Sequence, residues 1–275
     1  MGHRAINTNG VADLFAGFKI QIMGAKAPVQ NDMFRFAVAP GVVIPLPGPD
    51  FEEGAKKLGS DDAITFSSMD KHVFATGGRV YFDWIINDNF FINIYNETML
   101  FPLKQDLNKD GPNFYLTKGG LANDAGIQGA LGLTAGKIMD ISGEVNYKYR
   151  LTFELEPVFT YPIASGMSFS AGLPINYRYT PAYEYSFDYP EALTSHAMYP
   201  FVKDIIEETL LSKLNTEPQH SLTLNPNVGL FLTKTPLPLE FKFSYNIPLY
   251  GQNTMAKHTM VFQIRAYFAL PGRPQ

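Results

Sequence analysis

The chain of 275 residues contains no cysteine, which excludes a disulfide framework and any thiolate metal site. That absence fits an oxidising compartment, where stray thiols are a hazard. Charge is scarce as well. Asp, Glu, Lys and Arg make up 17% of the residues, against roughly 25% in an average soluble domain. The 22 basic and 26 acidic residues nearly cancel, giving no reason to expect a nucleic-acid partner, which would call for a basic surface. Long hydrophobic runs are missing too. The longest uncharged stretch, Pro157 to Tyr177, carries Pro157, Pro162, Gly166, Gly172 and Pro174, and a membrane-spanning helix would have to survive three prolines. The opening M-G-H-R-A-I-N-T-N-G has no apolar core of a signal peptide. Two origins are expected from that: a cytosolic protein, or a processed or truncated form.

Aromatic residues are plentiful, with 22 Phe and 15 Tyr but one Trp, and apolar residues recur with a period of two. In H-T-M-V-F-Q-I-R-A-Y-F (258–268), His258, Met260, Phe262, Ile264, Ala266 and Phe268 share one face. Arg265 lies on the other. Phe34 to Leu46 repeats the pattern opposite Arg35, and Phe74 to Ile86, including Phe82 and Trp84, repeats it opposite Arg79 and Asp83. Tyr149 to Ile163, with Phe153 and Phe159, opposes Lys148, Arg150, Glu154 and Glu156. Met167 to Tyr177, with Phe169, opposes Arg178. Leu237 to Leu249, with Phe241 and Phe243, opposes Glu240 and Lys242, and Leu14 to Ile22 opposes Lys19. Asn96 breaks the apolar parity of 90–101, as a β-bulge would. Alternation sustained over about 10 to 15 residues indicates strands two to three times the usual length.

Tight turns are expected at Asn87-Asp88-Asn89, Ala164-Ser165-Gly166 and Lys234-Thr235-Pro236. Between them fall long segments, 47–70, 104–123 and 181–218. The first includes D-F-E-E-G-A-K-K, which reads as a short helix. The third includes a helix over 199–214 with Val202, Ile205, Ile206, Leu210 and Leu214 on one face. Short turns at one end, long loops at the other and two-faced strands describe an all-β fold, an antiparallel transmembrane β-barrel forming a single domain over 1–275. The apolar face would meet lipid and the polar face the lumen, with Tyr149, Tyr161, Tyr177, Tyr179, Tyr245 and Tyr250 as interfacial anchors. A soluble barrel or sandwich would turn the apolar face inward instead. Against it stand the strand length, the unbroken apolar faces, and opposite faces rich in Gly, Ser, Asn and Thr where a soluble protein carries charge.

Nine runs read as strands: 13–23, 33–46, 71–86, 89–102, 148–163, 167–180, 219–233, 237–250 and 257–270. Bacterial barrels have even numbers. A tenth strand at 124–134 would restore evenness within an expected range of about 8–12; a missing amino-terminal strand is the alternative. Ile141, Val145 and Tyr147 continue in phase into Tyr149, as one very long strand would.

Three stretches, P-G-V-V-I-P-L-P-G-P-D-F (40–51), M-D-K-H-V-F (69–74) and F-F-I-N-I-Y-N-E (90–97), resemble those of outer-membrane β-barrel proteins from treponemes and related spirochaetes. The resemblance implies a bacterial outer-membrane location and a signal peptide in the precursor. The chain departs from the pattern in lacking that signal and in continuing A-L-P-G-R-P-Q beyond Phe268.

The polar parity collects the pore-lining candidates Lys19, Arg35, Arg79, Asp83, Lys148, Arg150, Glu154, Glu156, Arg178, Glu240, Lys242 and Arg265. The lipid-facing candidates are Phe82, Trp84, Phe153, Phe159, Phe169, Phe241, Phe243, Phe262, Ile264 and Phe268. In a narrow barrel the polar side chains either fill the bore as ion pairs or leave a pathway with a selective ring of Arg79, Arg150, Arg178 and Arg265. Catalysis is not expected. Glu154 and Glu156 point the same way, as an acid–base pair would, but Lys148 and Arg150 beside them favour ion pairing. The histidines do not cluster, so no metal or other cofactor is expected. G-L-T-A-G-K-I (132–138) lacks the spacing and context of a phosphate loop, and D-L-N-K-D-G-P-N (106–113) lacks the closing Glu and flanking helices of a calcium loop. The expected partners are the lipid bilayer, the outer-membrane assembly machinery and a small solute. The function read from these features is a narrow passive channel or uptake protein for small solutes or lipidic molecules. Its rival is a non-conducting structural or surface-interaction barrel with a salt-bridged, plugged lumen, and a membrane-embedded hydrolase comes third.

Overall fold

The two-residue period becomes antiparallel strands in the computed structural model, which describes residues 14–45, 73–107, 112–132, 138, 140–235, 237–254 and 258–266. The amino-terminal part contains β1 (Leu14–Gly17), β2 (Ile20–Met23), β3 (Phe34–Ile44), β4 (Ala75–Asn87) and β5 (Phe90–Phe101). There follow β6 (Gln105–Asp106), α1 (Pro112–Asn123), α2 (Ala125–Leu131), β7 (Ser142–Asn146) and β8 (Lys148–Ala164). Next come β9 (Met167–Gly172), β10 (Ile175–Thr180), β11 (Glu184–Asp188), α3 (Glu191–Thr194) and α4 (Tyr199–Leu211). The chain closes with β12 (Gln219–Leu224), β13 (Asn227–Leu232), β14 (Leu239–Gln252) and β15 (Thr259–Ala266). Twelve of these strands form one sheet, through which the chain runs back and forth in sequence order. Three passes are split in two (β1/β2, β9/β10, β12/β13), so the sheet is crossed nine times, once for each run legible in the sequence. Among the described residues, β1/β2 and β15 form its two edges and do not pair with each other.

Proline explains the splits. Pro157, Pro174 and Pro226 each sit where a strand would exchange two hydrogen bonds with its neighbour, but a proline can only accept. Their carbonyls receive the amides of Leu173 (3.1 Å), Asn225 (2.8 Å) and Tyr245 (3.0 Å). Pro40 does the same for Phe18 at 3.4 Å. The register is unchanged on either side: β8 pairs β10 as Leu155↔Ile175 and β9 as Val158↔Gly172. Asn96 causes no bulge, because β5 keeps an unbroken register with β8 from Phe90 to Phe101. Its amide is accommodated by donating to the Thr152 carbonyl at 3.2 Å.

Two of the tight turns fall as expected, and the third, Lys234-Thr235-Pro236, is only partly within the described residues. Asn87 Oδ1 accepts the Asn89 amide at 2.9 Å, and Gly166 takes a positive φ of 81° after Ser165. At the opposite end the second and third long connections build a separate unit, and the first, 47–70, lies outside the described residues. β6, β7 and β11 form a three-stranded sheet, and the helices surround a conventional core in which Phe114, Leu121, Leu131, Ile141, Tyr147, Ile206 and Leu210 are fully buried. Two expectations are corrected here. Residues 124–134 are not a tenth strand. Asp124 caps α2 by accepting the Ile127 amide at 2.9 Å, and Gly132 ends it in the left-handed conformation. Nor does β7 run on into β8. Lys148 has φ 60°, its amide bonded to Asn146 Oδ1, and the turn sends β7 to pair with β11 instead. The helix of the third loop is present as α4. Val202, Ile206 and Leu210 are its buried side, whereas Ile205 points outward. The helix expected in 50–57 lies outside the described residues.

Because this unit holds its own core, Ile206→Ala should loosen it by about 2–5 kcal/mol. Amide exchange in α1 and α4 is expected to accelerate while exchange in β4 and β5 stays unchanged.

Candidate functional site

Register assigns each side chain of the large sheet to one of two faces, and the burial of those faces is inverted relative to a water-soluble protein. On the apolar face one rung runs Phe36–Phe82–Ile94–Leu155–Ile175–Leu224–Ile247 through seven passes without a polar residue. Large side chains there are exposed: Trp84 41%, Phe243 43%, Phe262 64% and Ile264 61%. Phe153 and Phe159 are exposed on the same face. Phe82, Phe169 and Phe241 also lie on it, half-buried by their neighbours, with Phe82 stacked on Phe34 at 5.6 Å. Phe268 lies outside the described residues. The polar face, by contrast, buries Glu97 and Asn227 to 8% exposure and Met99 completely. The apolar face of the described sheet is thus exposed rather than turned inward.

Near the end from which the helical unit grows, the apolar face carries an aromatic row. Tyr149 packs on Tyr179 (6.0 Å), Tyr179 on His220 (4.9 Å), and the Tyr177 hydroxyl lies 2.9 Å from His220 Nδ1. Among the described residues no group of three or more His, Asp and Glu side chains could hold a metal, and no helix is long and apolar enough to cross a membrane.

The charged residues of the polar face fall into three separate groups. In the first, Glu97 of β5 takes Arg79 Nε at 2.8 Å on one oxygen and Arg150 Nη2 at 3.2 Å on the other. The Tyr95 hydroxyl adds a third bond at 3.0 Å. The Arg79 guanidinium also stacks 3.8 Å over the Phe15 ring, and Lys19 lies 4.0 Å over Tyr81. Arg35 stands directly opposite Asp83 across β3 and β4. This half of the face is stitched together by charge.

The second group is held by amides rather than guanidiniums. Glu156 accepts from Asn227 Nδ2 at 3.1 Å and from Asn93 Nδ2 at 3.2 Å. Glu154, two residues away on the same face, is hydrogen-bonded by Asn176 and feels the Lys242 ammonium. Glu154, Glu156, Asn176, Asn227 and Lys242 border a cleft of about 380 Å³ that reaches Asn225 and the polar face of β15. Gly172 keeps it open, because a Cβ there would stand 2.7 Å from Glu156 Oε1 and 2.9 Å from Asn227 Nδ2. Gly172→Ala should therefore break the Glu156–Asn227 bond and cost about 1–2 kcal/mol, measured as a lower urea midpoint of the folded form.

The third group is Arg265 with Glu240, 3.5 Å apart at the edge of the sheet. Its position corrects the four-arginine ring. Arg79, Glu97, Thr152 and Arg178 share one rung, with Arg150 two residues along β8. Arg265 is level with Pro162, through Glu240, Phe231 and Ser168. That is twelve residues from Arg150, or roughly 40 Å along the strand. Lys148 also departs from the expected set. Its ammonium reaches Glu184 of β11 at 2.8 Å, tying the sheet to the helical unit and holding the Glu184 carboxyl below its ordinary pKa.

Sequence reasoning found the carboxylates of this face but passed over the amides that hold them. Asn93, Asn176, Asn225 and Asn227 all stand at the polar parity, and that was the available signal. No family model, curated protein sequence or solved structure matches this chain.

Proposed function

We propose that this protein is an outer-membrane β-barrel that works passively, as a narrow channel or uptake protein for small solutes or lipidic molecules. The observation that carries the reading is the inverted burial of the large sheet, with Phe243, Phe262 and Ile264 exposed and Glu97 and Asn227 enclosed. Water would penalise so broad an apolar face, whereas hydrocarbon would not. Within a bilayer the two sheet edges would have to be paired, because an unpaired backbone group in hydrocarbon costs several kcal/mol. The partners implied are the lipid bilayer, the outer-membrane assembly machinery and the solute. The reading is non-enzymatic: the Glu154 and Glu156 carboxylates, which share a face of β8, are bound by amides.

A second reading, a structural barrel with a plugged lumen, is favoured by one feature, the Arg79–Glu97–Arg150 cluster that fills part of the polar face. Planar-bilayer recording separates the two. Stepwise currents from folded protein are expected for the channel, and a silent, folded, inserted protein would leave the structural reading. A detergent-free soluble monomer would overturn both.

A further inference from the structure

Among the described residues, carboxylates on the polar face are matched to guanidiniums except at two, Glu154 and Glu156. Glu97 has Arg79 and Arg150, Asp83 faces Arg35, and Glu240 has Arg265. Glu154 and Glu156 together have a single lysine, Lys242, among the groups bordering their cleft. Both oxygens of Glu156 are occupied by neutral amides, which orient the carboxylate without neutralising it. Each of those amides donates through nitrogen, so its carbonyl oxygen stays available as an acceptor. Asn225 adds a second, independent sign. The residue itself lines the same cleft and is half-buried, while its Oδ1 is enclosed and has no hydrogen-bond partner among the described residues. A buried acceptor without a donor is destabilising, and a small rotation of the side chain toward a bound donor would relieve it.

The cleft thus has an excess of negative charge and of acceptors, at a volume of about 380 Å³, within the size range of small-molecule sites. A neutral sugar would leave the extra carboxylate uncompensated, and an anion would be repelled. A divalent metal would need several hard oxygen ligands converging within about 2.0–2.6 Å, and no group of three such ionisable side chains occurs among the described residues. We infer that the cleft between Glu154, Glu156 and Asn225 binds a small organic ammonium ion, whose N–H groups meet the two carboxylates and the amide oxygens. The inference deepens the uptake reading and rests on it for the route by which a solute arrives.

Full-length protein folded in detergent micelles, titrated calorimetrically with 1,4-diaminobutane, tests it. Saturable binding is expected, weakened about tenfold or more by Glu156→Gln. That substitution keeps the shape and one oxygen for Asn227, so unchanged heat-modifiable mobility would show the fold intact. Tetramethylammonium, which has charge but no N–H, should bind at least tenfold more weakly. Absence of saturable binding, binding unchanged in the Glu154→Gln/Glu156→Gln double variant, or equal binding of tetramethylammonium or mannitol would overturn the inference. Bilayer recordings of the same preparation in potassium chloride keep the two ideas apart. Current without diaminobutane binding removes the site and leaves the channel; binding without current removes the channel and leaves the site.

Discussion

Arginine in place of Ile175 is expected to destabilise the protein in lipid by about 2–4 kcal/mol, the cost of that side chain on the lipid face near the bilayer midplane. Ile175 lies on the apolar rung that runs from Phe36 to Ile247, and its side chain is exposed. In water, replacing an exposed isoleucine at such a position would change stability by roughly 0.5 kcal/mol or less. The two environments therefore give different answers to one substitution. Urea titration of the folded form in phospholipid vesicles reads the difference, with the fraction folded taken from heat-modifiable gel mobility. A midpoint equal to that of the parent protein would count against the membrane reading.

Glu97→Gln should have the second large effect. The carboxylate is the shared anion of Arg79 and Arg150, and its side chain is 11% exposed. Removing one member of a buried ion cluster costs about 3–5 kcal/mol because the remaining charges are stranded. The guanidiniums here are partly exposed, so about 2–3 kcal/mol is the better expectation. If the protein conducts, two uncompensated guanidiniums on the polar face should also shift the reversal potential in a salt gradient toward anion preference. Adding Arg79→Met to the same chain should recover part of the stability, since it removes one of the stranded cations.

The nine passes were legible because two-residue periodicity is a local property that survives without knowledge of partners. The faces were legible for the same reason: parity alone sets Arg265 on the face opposite Phe262, whereas its pairing with Glu240 depends on register. The helical unit was harder to read. A-G-I-Q-G-A-L alternates as a strand would, but Ile127 and Leu131 are also one helical turn apart and both are buried. Asp124 before them and Gly132 after them are helix signals, a capping side chain and a left-handed stop. The turn at Asn146–Lys148 was visible only as an asparagine. The partner that draws β7 away, Glu184–Asp188, is almost forty residues distant in sequence and leaves no local mark. The groupings on the polar face likewise depend on register between passes. Parity could say that Arg79, Arg150, Arg178 and Arg265 share a face, but only pairing says that one of them stands far from the rest.

The one-sided prolines bear on how the chain finds its alignment. Two-faced strands this long are ambiguous, because a slip of two residues keeps every apolar side chain on its face. Pro157, Pro174 and Pro226 restrict that freedom. In the adopted register each keeps its acceptor in use, through the Leu173, Asn225 and Tyr245 amides. The three missing donors fall on the same or adjoining rungs, and Pro174 lines the polar cleft. If the sheet spans a bilayer as proposed, a slipped pairing would set the same missing donors against different carbonyls in hydrocarbon, where nothing else could satisfy them. The prolines act as alignment marks, penalising misregistered sheets more than they weaken the correct one.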